Sequence, residues 1–215
     1  VRGRKDLDGI TVPVIGEIPQ YFTVRKKWGL HRKMRPAVNT VIVKEGNRNV
    51  INEAFRVLRS NMEFMLAAQK DRNVFILTSF NPGSGKSFLA MNIAMSFAIK
   101  MKRVLVIDGD LRHGSTSSYI NSPETGLSDY LSGMPDNWKK LIVPDDKYEN
   151  FHILPIGKVP PNPTELLENG RLAGLIEHLR GEYDFIFIDC PPIDIVADAQ
   201  ILEKAADRTL FIVRA

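Results

Sequence analysis

The sequence predicts a doubly wound α/β domain built on a mostly parallel sheet, and three observations lead there. Unbroken apolar runs recur along the chain: "VFILTS" (74–79), "RVLVIDGD" (103–110), "FHILPIG" (151–157), "DFIFIDCPP" (184–192) and "TLFIVRA" (209–215). Such runs mark strands covered on both faces rather than on one. Helical patterns separate them, and strand–helix alternation gives parallel sheets through right-handed crossovers. At 215 residues, 44% hydrophobic and 25% charged, the chain can bury one sizeable core.

Taken in order, residues 1–40 show no sustained periodicity and carry Pro13, Pro19 and Pro36. They read as an extended arm, and residues 41–215 as the main domain. The first helix spans 49–70, where Ile51, Phe55, Leu58, Met62 and either Met65 or Leu66 form an apolar stripe at three- and four-residue steps. Asn49 is its expected N-cap. Further helices are expected at 85–100, at 126–133 before a glycine stop, at 164–182 with Thr164 as cap behind Pro163, and at 196–207. The fifth strand closes the sequence. A covering helix is expected after it, so more chain is anticipated there.

Composition excludes several function classes. No run of about 18 apolar residues occurs that could span a membrane. The N-terminus has no apolar block of the signal-peptide kind. The single cysteine, Cys190, excludes an internal disulfide and argues against a cysteine metal site. The net charge of +4 is uneven, because the first 40 residues hold nine Lys/Arg against three acids, leaving −2 for the rest. The body therefore carries no nucleic-acid footprint. Six basic residues cluster around Trp28 in "VRKKWGLHRKMR" (24–35). This cluster would suit an anionic membrane surface, or equally a solvated loop.

Ligands of open parallel sheets bind beyond the strand carboxyl ends, and three strands here end in polar signatures. "SFNPGSGKSF" (79–88) lies between a strand and a helix, as a phosphate loop requires. Gly83 and Gly85 allow close backbone approach. The stretch Pro82, Gly83, Ser84, Gly85, Lys86, Ser87 and Phe88 would cradle phosphates at a helix N-terminus. Lys86 would reach the β- and γ-phosphates and Ser87 would ligate Mg²⁺. Phe80 stands where the usual pattern has glycine, at the far lip of the loop. In "VLVIDGDLRHG" (104–114), Asp108 and Asp110 emerge from a strand tip. Carboxylates there can hold metal-bound waters or accept a proton from an attacking hydroxyl. In "FIFIDCPP" (185–192), Asp189 ends an apolar strand, the position that completes a Mg²⁺ shell in phosphate-loop enzymes. The three together indicate a nucleoside triphosphate with Mg²⁺. They leave open whether water or a hydroxyl receives the phosphoryl group.

Read as Walker A, A′ and B motifs, these stretches place the chain in the P-loop NTPase type. They resemble the superfamily of division-site and plasmid-partition ATPases. That superfamily carries an extra lysine where this chain has Asn81. Nearly the whole sequence is similar to the bacterial tyrosine kinases that regulate capsule and exopolysaccharide export. "PVIGEIP" (13–19) resembles their juxtamembrane segment. "EAFRVLR" places Glu53, Arg56 and Arg59 in their ring-assembly pattern, and "IDGDLR", "GLSDYLSG", "PPNPTELL" and "IDCPPIDIVADAQ" follow in order. Departures are Cys190, where Thr or Ser is usual, and "HGS" after Arg112.

The resemblance implies an ATP-dependent, autophosphorylating protein-tyrosine kinase with Mg²⁺, acting at the cytoplasmic face of the bacterial inner membrane. Asp108 is the favoured residue to orient or deprotonate the acceptor tyrosine, with Asp110 as the other candidate. Ser87 and Asp189 would hold the metal, assisted by Asp110 through water. Arg112 is expected to pair with phosphate or with a neighbouring subunit. The implied partners are a homo-oligomeric ring, a tyrosine-rich tail as substrate and a transmembrane activator. No tyrosine cluster occurs among Tyr21, Tyr119, Tyr130, Tyr148 and Tyr183. Glu53, Arg56 and Arg59 sit three residues apart and are expected on one exposed stripe, drifting about 60° per step. They would face a subunit neighbour, or form an ordinary intrahelical pair. The alternative function is a regulatory ATPase of the partition and division-site superfamily.

Overall fold

The computed structural model describes residues 9, 11–20, 22–24, 34–36, 39–67, 72–134, 137–193 and 197–214. Most of the basic cluster at 24–35, Tyr21, residues 68–70 of the expected first helix and 194–196 of "IDCPPIDIVADAQ" lie outside them.

Two short strands, β1 (Phe22–Val24) and β2 (Met34–Pro36), pair antiparallel, so this part of the expected extended arm folds back on itself. Residues 13–20 have no regular structure and run along helix α1 (Val50–Leu66). Asn61 Nδ2 donates to the Ile15 carbonyl at 2.8 Å. Gly16 lies under Leu58, whose Cδ1 would be 3.0 Å from an added Cβ.

The main sheet has the order β5-β6-β4-β7-β3-β8. Its members are β3 (Val74–Ser79), β4 (Val104–Asp108), β5 (Val143–Pro144), β6 (Phe151–Leu154), β7 (Phe185–Asp189) and β8 (Arg208–Ile212). Five run parallel; β5 is an antiparallel edge that sequence reading did not anticipate. β3 and β4 flank β7, so the chain leaves β3, skips one position, and later returns to fill it. The crevice at the carboxyl ends of these three strands is where the site forms.

Alternation along each strand divides the core in two. Phe75, Leu77, Val104, Val106, Phe185 and Phe187 face α1 and α2 (Lys86–Ala98). Val74, Ile76, Leu105, Ile107, Ile186 and Ile188 face α3 (Leu127–Leu131), α4 (Pro163–Glu168), α5 (Arg171–Glu182) and α6 (Asp198–Lys204). On the first side Phe97 of α2 packs on Phe185 with ring centroids 4.1 Å apart. α2 is apolar nearly all round because it lies between the sheet and α1. In α1 the expected stripe is buried, with Leu66 rather than Met65 facing the core, and Asn49 caps it by accepting from Asn52 N at 2.9 Å.

Several boundaries differ from expectation. The single helix expected over 164–182 is two, α4 and α5, broken at Asn169–Gly170 where Gly170 takes φ +80°. Thr164 is not the cap; Asn162 holds that position and Pro163 begins the helix. Residues 41–44, unread in the sequence, form a buried connector. Asn92 Oδ1 of α2 accepts from Ile42 N and Val43 N at 2.8 and 3.1 Å, and Asn52 Oδ1 of α1 accepts from Lys44 N at 2.9 Å.

Candidate active site

The loop between β3 and α2 has the dihedrals that its glycines allow. Gly83 and Gly85 adopt φ +69° and +91°, where an L side chain is strained. Hydroxyls close the loop on itself: Ser79 Oγ and Ser84 Oγ both donate to the Asn81 carbonyl, at 2.8 and 2.7 Å. Arg214, just past β8, donates to the Gly83 carbonyl at 3.0 Å. No side chain caps α2, whose N-cap is Gly85. An uncapped helix N-terminus at a strand's end is a ready anion site. Lys86 is buried and its Nζ donates to Ser79 Oγ at 3.3 Å. Phe80 lies on the outer lip, 54% exposed, and takes no part in this geometry.

Opposite the loop stand the carboxylates. Asp108 ends β4, Asp189 ends β7, and the two are direct partners in the parallel register. Both are buried. Asp108 Oδ2 accepts from Ser117 N at 2.6 Å and from Ser117 Oγ at 2.7 Å, and Asp189 Oδ2 accepts from Thr116 Oγ1 at 2.8 Å. The Oδ1 atom of each is buried without a partner. Burial, and then the charge of Asp189, push the Asp108 carboxyl up to about 8. Burial also raises Asp189, to about 6, against the opposing hydrogen bonds of Ser87 and Thr116 and the charge of Lys86. Cys190, next in the chain, is fully buried and its thiol is pushed up by the same desolvation.

Gly109 separates the two aspartates of "IDGD" for a steric reason. A Cβ there would come within 2.9 to 3.0 Å of Ile188 Cγ2, the Asp189 carbonyl and Leu202 Cδ1. Asp110, beyond it, accepts from Arg112 N at 3.2 Å and faces His113 Nδ1 at 3.1 Å. Arg112 points elsewhere than expected. Its Nε donates to Asp198 Oδ2 and its Nη2 to Thr164 Oγ1, each at 2.9 Å, while Thr164 donates to Asp198 Oδ1 at 2.6 Å. In the single chain it ties "IDGDLR" to α4 and α6.

The structure thus gathers Lys86, Ser87, Asp108, Asp110 and Asp189 at one end of the sheet. Glu53, Arg56 and Arg59 lie away from it on α1, and not on one exposed stripe. Glu53 and Arg56 form an intrahelical pair at the surface. Arg59 turns inward, 7% exposed, and its Nη1 donates to the Ser96 carbonyl of α2 at 2.7 Å. Sequence reasoning missed Thr116, Ser117, Thr164 and Asp198; the hydroxyl-rich "STSS" (115–118) right after the second motif was the available signal.

Among the described residues no group of three or more His, Cys, Asp or Glu could cage a metal. The donors present fit Mg²⁺ as it binds beside nucleotides, where one or two protein oxygens suffice and phosphates and water complete the shell. The bare Oδ1 atoms and the Ser87 hydroxyl supply such oxygens.

A family profile described as an AAA domain matches residues 72–214. The tyrosine-protein kinase CpsD of Streptococcus agalactiae is 35% identical over 165 residues, which cover 76% of this chain and 69% of CpsD. The chain belongs to the bacterial tyrosine-kinase family. The tyrosine-protein kinase wzc of Salmonella typhimurium is 39% identical over 75% of this chain and 22% of its own length. This family member spans about a quarter of the length of its longer curated relatives. The kinase domain of the Escherichia coli tyrosine kinase ETK superposes with a TM-score of 0.83 at 28% identity, covering 99% of this chain and 81% of that one. A septum site-determining protein MinD with Mg-ADP from Pyrococcus horikoshii matches less completely. Its TM-score is 0.57 at 26% identity, over 66% of this chain and 58% of MinD. Among the described residues of this kinase-family chain, no helix is long and apolar enough to cross a membrane.

Proposed function

We propose that this chain transfers the γ-phosphoryl group of ATP to protein tyrosine, as the kinase part of a system controlling capsular or exopolysaccharide synthesis and export. The observation that carries the reading is the Asp108 carboxylate. It is buried, held by one oxygen, bare at the other, and stands beside a phosphate loop. Burial makes it more basic than an ordinary aspartate, so in its ionised form it is well suited to accept a proton from a phenol. The relatives, wzc and CpsD, are tyrosine-protein kinases, which supports tyrosine as the acceptor.

In this mechanism the N–H groups from Gly83 to Phe88 bind the phosphates and Lys86 neutralises charge developing on the transferred group. Ser87 and Asp189 would hold Mg²⁺, with Asp110 assisting through water, and the ion would supply charge neutralisation during phosphoryl transfer. The phenolic oxygen attacks the γ-phosphorus in line, the bond to the β–γ bridging oxygen breaks, and ADP leaves. The phenolic proton passes to Asp108 Oδ1. Asp110 is the weaker candidate for this role because both of its oxygens face His113.

Residues 41–215 would form the catalytic unit and residues 1–40 a basic juxtamembrane arm at the cytoplasmic face of a bacterial inner membrane, where lipid contact is the arm's proposed role. A ring would form through the α1 face that bears Glu53 and Arg56, with Arg59 bracing it from inside. A tyrosine-rich tail, on the same or a neighbouring chain, would be the substrate, and a transmembrane segment the activator.

The likeness to MinD favours one second reading, hydrolysis with water as the acceptor. Incubating the full-length protein with γ-labelled ATP separates the two. Label on tyrosine is expected; free phosphate with unlabelled protein would overturn the kinase reading.

A further inference from the structure

Two adjacent hydroxyls each hold one of the two carboxylates, and Ser87 supports Asp189 from the phosphate loop as well. After β4 the chain turns through Gly114, at φ +61°, and enters a single 3₁₀ turn at Ser117–Ile120. Thr116 and Ser117 are both buried there. Thr116 Oγ1 donates to Asp189 Oδ2 at 2.8 Å and Ser117 Oγ donates to Asp108 Oδ2 at 2.7 Å. Ser117 Oγ also accepts from the Ile156 N–H at 2.9 Å, which leaves its one proton for Asp108. Each carboxylate therefore has Oδ2 fastened and Oδ1 bare.

Asp108 and Asp189 end neighbouring strands in direct register, and each has one oxygen fastened to a different hydroxyl of the same turn. We infer that Thr116 and Ser117 are positioning residues with divided duties. Thr116 orients Asp189 for the divalent metal, and Ser117 orients Asp108 for the acceptor hydroxyl. The inference rests on the kinase reading above.

The test compares Thr116→Val and Ser117→Ala in the full-length protein, with Mn²⁺ binding in the presence of ADP measured by calorimetry alongside steady-state kinetics. Thr116→Val is expected to weaken Mn²⁺ binding about tenfold or more, the usual loss of an outer-shell partner, and Thr116→Ser to restore it. Ser117→Ala is expected to leave Mn²⁺ binding within about twofold and to lower kcat about tenfold at unchanged KM for ATP, the mark of a role felt only in the reaction step. If Ser117→Ala fails to fold because Ile156 N–H loses its acceptor, Ser117→Cys retains a weak acceptor while donating poorly, and the same kcat loss is expected. Wild-type protein that binds no Mn²⁺ with ADP overturns the nucleotide-site reading and this inference together. Wild type that binds while Thr116→Val binds equally, or Ser117 variants that lose metal and turnover alike, overturn the inference alone.

Discussion

Two regions of this molecule bury polar side chains, and they treat them differently. Between α1 and α2 the amides are used fully. Asn92 Oδ1 takes two backbone N–H groups while its Nδ2 donates to the Phe88 carbonyl. Asn52 likewise accepts from Lys44 N and donates to the Ile42 carbonyl. At the strand tips, Asp108 and Asp189 each keep one oxygen without a partner, although both are as deeply buried. Native interiors rarely leave such atoms bare, since each costs about 1–3 kcal/mol and more when charged. Satisfied amides hold the connector 41–44 onto two helices, whereas the unsatisfied oxygens at the strand tips lower stability.

The comparison can be broken by substitution. Asp108→Asn should have the largest effect, lowering tyrosine labelling by roughly 10²- to 10⁴-fold, the usual worth of a positioned acid–base group. Lys86→Met should abolish labelling comparably, on the order of 10²- to 10³-fold, with the thermal midpoint nearly unchanged; normal labelling would remove the loop from the site. On the other side, Asn92→Leu should cost about 2–3 kcal/mol in urea unfolding by orphaning the Ile42 and Val43 N–H groups. The kcat of the protein that remains folded should be little changed. A variant of Asn92 that is stable but inactive would dissolve the contrast between the regions.

A pH series sharpens it further. The Asp108 carboxyl is raised in the fold to about 8, against about 3.9 in an unfolded chain. Between those values the folded state holds the extra proton, so metal-free stability should fall as pH rises from about 4 to about 8 and level off beyond. Asp108→Asn should flatten that slope and raise stability at pH 7.5, read from urea midpoints. The smallest effect on stability belongs to Glu53→Ala with Arg56→Ala, a few tenths of a kcal/mol for a surface pair. The same double variant should lower the particle mass in light scattering, and an unchanged mass would take this face out of the assembly.

The parts of this fold legible in the sequence are those where one local property decides. Apolar runs marked all five parallel strands: β3, β4, β6 and β7 are buried on both faces, whereas β8 is an edge strand that keeps its apolar run while half exposed, with Phe211 open to solvent. The three polar signatures lay at strand ends because that is where such a chain exposes backbone to ligands. What was hidden depends on partners distant in sequence. Arg59 looked like a third member of a charged stripe, but two steps of three residues carry it about 120° round the helix from Glu53, onto Ser96. Arg112 is expected from the sequence to pair with phosphate or a neighbouring subunit; its intrachain partners Asp198 and Thr164 lie 86 and 52 residues away and cannot be read locally. The connector 41–44 has no periodicity to read, being held by two amides on other elements. Thr116 and Ser117 look like loop residues until the register of β4 and β7 is known.

Cys190, the one thiol in the chain, sits directly behind Asp189 with its sulfur buried and its ionisation suppressed. In the closed fold it is inert, because alkylating reagents need an accessible thiolate. Any labelling must wait until the tip of β7 opens, so the rate at which this sulfur is trapped is a clock for the local unlatching of the catalytic end, ticking without a reporter having to be engineered.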